Sequence, residues 1–283
     1  MSDTAPSLLV FGAHPDDCEY TAGGLAALYA RQGSRVCFVS VTNGDAGHQT
    51  LAGAQLARIR RDEARAAAEA LGIESLVLDN HDGELLPTLD RRREIIRIIR
   101  DFKPDLILTP RPNDYHPDHR YTSILVQDAA YMVTVPNVVA YAEHLRINPL
   151  IMYVIDHFQK PYPFAPDVVV DVEPVIEQKF EAIHRHGFVR VAAATPLASA
   201  GDVAFNVKET VGLARDAHER GVDLIVFPEL NVSSYAVDDL HLQEAFLDAV
   251  EQGVHVLRQI EKQGATLSAR RAMPQPLQRG RSG

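Results

Sequence analysis

Short apolar runs rich in β-branched residues, at 8–11, 36–41, 76–78 and 106–108, alternate with longer stretches of helical spacing at 22–31, 55–71 and 91–102. Gly33 and Gly72 stand where helix stops are expected. This alternation predicts strand–helix–strand units, and hence an α/β, Rossmann-like, mainly parallel sheet covered by helices. In such a sheet ligands bind beyond the carboxyl ends of the strands, where strand order reverses. The loops that follow strands are therefore where chemistry is expected.

After the fourth run the pattern predicts a helix over 122–132, an irregular stretch, a β-like run over 167–172 and a helix over 173–184. It then restarts, with strands at 188–194 and 223–227 and helices at 202–220, closed by Gly221, and at 239–260. The expected division is a first domain at 1–186, an appended partial α/β segment at 187–262 and a tail at 263–283. The tail holds Arg270, Arg271, Arg279 and Arg281 with no acidic residue, a composition expected to be disordered.

Hydrophobic residues make up 46% of the 283 and charged residues 23%, which is the composition of a packed globular chain. The formal net charge of −10 argues against nucleic acid or anionic lipid as a partner. Cys18 and Cys37 are the two cysteines, too few for a disulfide framework, so a reducing, cytoplasmic setting is expected. Neither an export signal nor a membrane-spanning run is expected from the pattern.

Two clusters carry the chemistry. Directly after the first strand stands Gly12-Ala13-His14-Pro15-Asp16-Asp17, and after the fourth stands Asp114-Tyr115-His116-Pro117-Asp118-His119. In the common strand order 3-2-1-4 the first and fourth strands are neighbours, so the two loops flank one crevice. A catalytic zinc takes about three protein ligands from neutral imidazole and carboxylate and keeps one position open, and a His/Asp/His set meets that need. One His-Pro-Asp alone reads equally well as a turn, since proline and aspartate both form turns. Two copies, each after a strand and each with extra Asp or His, favour a metal site.

These two motifs resemble the LmbE-like, or PIG-L, family of zinc-dependent N-deacetylases, with a match over about residues 6–186. Supporting stretches are Thr42-Asn43-Gly44-Asp45, residues 58–63 leading to Leu71-Gly72, Asp82-Gly83 and residues 166–171. The resemblance implies zinc as cofactor with His14, Asp17 and His119 as ligands. It implies Asp16 as general base and His116 as a catalytic partner supported by Asp118. Either His116 or Asp16 can protonate the leaving amine. The implied substrate is a small N-acylated amino sugar or glycoconjugate, and the chain is compatible with a homo-oligomer.

Arg58 and Arg61, near the start of the second helix, are candidates to anchor a substrate hydroxyl or phosphate, although a charged helix face is usually just solvated. Tyr115 is a candidate donor to an oxyanion or a packing residue. Cys18 is left out of the ligand set, because adjacent side chains rarely converge on one metal and a free cysteine is usually buried packing. His48, His81, His144 and His157 read as surface or core histidines.

From His186-Gly187-Phe188 onward to about residue 262, and most clearly at Phe227-Pro228-Glu229-Leu230, about 75 residues resemble the amino-terminal part of the nitrilase-type amidase domain of glutamine-dependent NAD synthetases. Glu229 matches the general base of that family. Its chemistry also needs a cysteine nucleophile and a lysine. No cysteine follows Cys37, and the only lysine beyond Glu229 is Lys262, so this segment is expected to be inactive by itself. The deacetylase pattern departs from its family near His184, where a Ser-Gln pair and closing helical segments are expected. The leading reading is a zinc-dependent N-deacetylase. The alternatives are a metal- or carbohydrate-binding module without turnover, and a partner-binding fragment related to the synthetase amidase.

Overall fold

In the computed structural model, residues 5–237, 239–240 and 243–262 are described, and the expected disordered tail lies outside them. The chain divides into two compact units, Met1–Phe188 and Val189–Gly283. The first unit runs β1 (Leu8–Gly12), α1 (Asp17–Arg31), β2 (Val36–Ser40), α2 (Gly53–Leu71), β3 (Glu74–Val77), α3 (Leu89–Phe102), β4 (Leu106–Thr109), α4 (Pro117–Met132), β5 (Leu150–Tyr153) and α5 (Ile176–His184). Its sheet is parallel throughout, in the order β3-β2-β1-β4-β5.

Alternation along the central strands sets the two cores. Leu9, Phe11, Cys37, Val39 and Ile107 face α3 and α4, whereas Leu8, Val10, Val36, Phe38 and Leu108 face α1, α2 and α5. Burial on both faces explains why these strands read as continuous apolar runs and not as alternating ones. Each fully buried aliphatic side chain contributes about 1.5–3 kcal/mol.

Two expectations are corrected. The stretch read as irregular contains β5, which pairs with β4 from Leu106↔Leu150 to Thr109↔Tyr153. The β-like run at 167–172 forms no strand. Val168, Val169 and Val170 are exposed and lie outside the sheet, while Val172 packs against α1 at Gly24. β-branching there reflects a chain running extended over a helix and not a ladder.

The second unit contains β6 (Val191–Ala193), α6 (Val203–Glu219), β7 (Leu224–Val226) and α7 (Glu244–Lys262). Its two strands pair in parallel. Asp202 caps α6 by accepting from the Phe205 amide at 3.0 Å. Asn206 ties the unit's loops together, donating to the Ser199 and Val232 carbonyls at 2.9 and 3.0 Å.

Candidate active site

β1 and β4 are adjacent and parallel, so the loops leaving their carboxyl ends meet. Gly12 lets the first loop turn at once into α1: a Cβ there would stand 2.8 Å from Asp17 Cβ and 2.9 Å from Cys18 Sγ. Asp16, at the amino end of α1, sits at φ 142°, a conformation that is costly for any residue but glycine and typical of functional sites. In the second loop His116 caps α4, its Nδ1 accepting from the Asp118 amide at 3.2 Å, and Pro117 opens the helix.

The two motifs converge. Asp17 Oδ2 accepts from the Ala13 and His14 amides at 2.9 and 2.8 Å. It also lies 3.4 Å from both His14 Nδ1 and His119 Nε2. That spacing is about the edge of a tetrahedron with bonds near 2.1 Å, the geometry of a zinc site. The rings of His14, His116 and His119 offer nitrogens within 4.8 Å of one another, and His14, Asp82 and Asp118 form a second such group. Imidazoles and carboxylates packed this closely suit a divalent cation.

The surroundings orient these groups. On the far side of His14, Nε2 lies 3.1 Å from Asp82 Oδ1 and 3.2 Å from Asp118 Oδ2. His119 Nδ1 donates to Asp114 Oδ2 at 3.1 Å, and Asp114 Oδ1 accepts from the His116 amide at 2.9 Å. Carboxylates behind ligating histidines fix ring orientation and raise basicity. Burial alone would depress His14, but Asp118, Asp17 and Asp82 together push it up to about 12. His119, likewise opposed by burial, is pushed up to about 9 by Asp114 and Asp17. Burial works to raise Asp17, and the two imidazoles beside it outweigh that and hold it well below the usual carboxylate range. His116 is lowered by burial and by the neighbouring charges of His14 and His119.

Asp16 is raised, first by burial and then by the Asp17 charge, against the pull of Arg60. Arg60 was not among the sequence candidates. Its Nη2 donates to Asp16 Oδ2 at 2.6 Å and to the Pro15 carbonyl, and its Nη1 donates to Glu63 Oε2 at 2.7 Å. Arg58 is exposed. Arg61 is exposed too and reaches only Asp79, at 3.9 Å, so neither arginine chosen from sequence lies at the centre. Asp118 also departs from expectation: its carboxylate accepts from the Gly83 and Leu85 amides at 2.7 and 3.2 Å and faces His14, not His116. Tyr115 is exposed, its ring edge-on to His116 and His119 at centroid distances of 6.2 and 6.3 Å.

Cys18 is buried behind the site, its thiol pushed up by burial and directed at the Val10 and Val39 carbonyls. His81 pairs with Asp45 at 2.6 Å, His48 accepts from the Thr50 and Leu51 amides, and His157 lies 3.5 Å from the Tyr20 hydroxyl.

The model of the PIG-L family, described as GlcNAc-PI de-N-acetylase, matches residues 9–130, which hold both motifs. The diacetylchitobiose deacetylase of Thermococcus kodakarensis is 30% identical over 185 residues, covering 63% of this chain and 68% of the relative. The chain belongs to the PIG-L family. Among solved structures, the fold of this PIG-L domain is matched by N,N'-diacetylchitobiose deacetylase from Pyrococcus horikoshii complexed with its inhibitor MPG. The TM-score is 0.58 at 29% identity, over 65% of this chain and 70% of that one. The 4-oxalmesaconate hydratase of Pseudomonas putida is also similar, 28% identical over 197 residues, 65% of this chain and 74% of that protein. A different likeness, to the glutamine-dependent NAD(+) synthetase of Mycobacterium bovis, is 45% identical over 75 residues. It takes in 26% of this chain but only 11% of the synthetase.

Proposed function

We propose that the PIG-L domain is a zinc-dependent N-deacetylase that hydrolyses the amide of an N-acetylglucosamine-like sugar. The observation that carries this reading is the meeting of His14, Asp17 and His119 beside a partly buried carboxylate, Asp16, whose affinity for a proton is raised. The relatives whose names are diacetylchitobiose deacetylases support the substrate class.

His14, Asp17 and His119 would hold the ion. Zinc bound there supplies Lewis acidity, polarising the amide carbonyl and making water acidic enough to lose a proton near neutral pH. Asp16 takes that proton as water attacks, a task matched by a carboxylate of raised pKa. Arg60 holds Asp16 in place through its 2.6 Å bond. His116 stands over the same centre, 4.7 Å from His14 between ring centroids, where its imidazole can stabilise the charge that develops on the carbonyl oxygen. The amine leaves with a proton returned from Asp16 or from His116. The exposed ring of Tyr115, beside His116 and His119, supports a contact with the sugar. Glu229 takes no part, since its segment has no cysteine to serve as the nucleophile of a nitrilase.

The test is release of acetate and free amine from N-acetylglucosamine, N,N'-diacetylchitobiose and an N-acetylglucosaminyl glycoside, with an unsaturated tricarboxylate, 4-oxalmesaconate, run in parallel. Amine release from the sugars is expected. Hydration of the tricarboxylate without amine release would reassign the site to the chemistry named for the Pseudomonas putida relative.

A further inference from the structure

Behind Asp16 lies a group with no role in the chemistry described so far. His186 follows α5, and its side chain is fully buried, yet neither of its ring nitrogens makes a hydrogen bond among the described residues. Buried polar atoms without partners are rare and call for an explanation. The ring lies between two carboxylates: Nε2 is 3.4 Å from Glu19 Oε1 and Nδ1 is 3.7 Å from Glu63 Oε2. Glu19 is itself buried, in the first turn of α1. Glu63 and Asp16 share a single guanidinium, that of Arg60, at 2.7 and 2.6 Å.

A line of polar groups therefore runs from His186 through Glu63 and Arg60 to Asp16. An arginine shared by two carboxylates can be drawn toward either one. His186 Nδ1 lies behind Glu63, 3.7 Å from its Oε2, while the other arm of Arg60 is aimed at Asp16. Asp16 needs such support, because its backbone is held at φ 142°, where only over-determined surroundings keep a non-glycine residue.

We infer that His186 is a positioning residue for the Asp16 carboxylate, acting through Glu63 and Arg60 without touching substrate. The inference rests on the reading of Asp16 as the base. A histidine that merely filled space between α5 and its neighbours would be replaceable by leucine at no catalytic loss.

The experiment compares His186→Leu, His186→Gln, Glu63→Gln and the His186→Leu/Glu63→Gln pair with the metal-loaded wild-type chain, by steady-state kinetics on an N-acetylated amino sugar. His186→Leu should lower kcat roughly 10- to 100-fold, as a misplaced group does, with KM and zinc content unchanged. His186→Gln should recover part of the loss, and the pair should lose no more than Glu63→Gln alone, because both act through one link. A second readout does not need turnover: the Arg60 guanidinium proton signals in NMR spectra should be slowed and resolved in the wild type and averaged in His186→Leu, His186→Gln being intermediate. Wild-type kcat in His186→Leu, a loss confined to KM, or unchanged Arg60 signals would overturn the inference. Should His186→Leu fail to fold, His186→Gln and Glu63→Gln carry both readouts with the same criteria. Should the wild type hydrolyse no amide, the reading of Asp16 falls, and the Arg60 signals alone decide the link from His186.

Discussion

Asp16 and Asp17 are neighbours in sequence with opposite electrostatics, and that contrast separates their roles. Asp17 is held ionised by two imidazoles, as the proposed ligand role requires, while Asp16 is partly buried, beside another negative charge, and inclined to take a proton. Asp16→Asn is expected to keep zinc and lose amide hydrolysis by about 10²- to 10⁴-fold, the usual worth of a general base; metal analysis with single-turnover kinetics checks both halves. Protons and metal compete for His14 and His119. Without metal their rings stay protonated up to about 12 and about 9. Raised values mean that the charged rings favour the metal-free folded state at low pH and lose that advantage as pH rises. Zinc uptake should therefore tighten and release protons as pH climbs from about 6.5 to about 9; chelator competition that shows flat or falling affinity over that range would contradict this. At this scale the sequence was a good guide to the motifs and a poor guide to their partners. The choice of Arg58 and Arg61 passed over Arg60, although Arg60 shares the helical phase of Leu56, Ala57, Ala64, Ala67 and Leu71, the buried face of α2. The resemblance pairs Asp118 with His116, whereas its carboxylate turns to the 83–85 loop and His14, partners remote in sequence that only the fold brings together.

Among the elements, those with both faces or one long stripe buried were legible, and the exceptions have physical causes. β5 is an edge strand with Leu150 and Tyr153 exposed, and an irregular connection separates its short apolar run from α4, so the strand–helix alternation does not single it out. Residues 168–170 have the signature without a strand to pair with. The joint between β1 and α1 depends on the lack of a side chain at residue 12. Gly12→Ala should lower stability by about 1–3 kcal/mol, the usual cost of overpacking, and loosen zinc binding together with it, as followed by thermal unfolding with and without metal. On the opposite side of the sheet, the buried Arg100 donates to the carbonyls of Met132, Val133, Val135, Val138, Val139 and Ala142. This one guanidinium organises the turn that leads from α4 toward β5. Arg100→Met removes the guanidinium from all of them, although the Met132, Val133, Val135 and Val139 carbonyls keep a backbone donor, and should cost about 2–4 kcal/mol in denaturant unfolding, with zinc content unaltered.

For the whole molecule, the restart of the hydrophobic pattern near Gly187 and the change of resemblance fall close to the division at Phe188–Val189. Among the described residues no helix is long and apolar enough to cross a membrane. The proposed chemistry belongs to the first unit alone, so Glu229→Ala should leave zinc content and amine release within experimental error. Ammonia formed from glutamine by the intact chain and lost in that variant would contradict the inactivity of the second unit. The account stands on the two motifs holding one metal that is needed for turnover. Its most direct test is elemental analysis of the purified chain and of His119→Ala, paired with acetate release from N,N'-diacetylchitobiose. The predicted result is about one zinc per wild-type chain with acetate released, and loss of both in His119→Ala. Full zinc occupancy or undiminished acetate release in His119→Ala would contradict it.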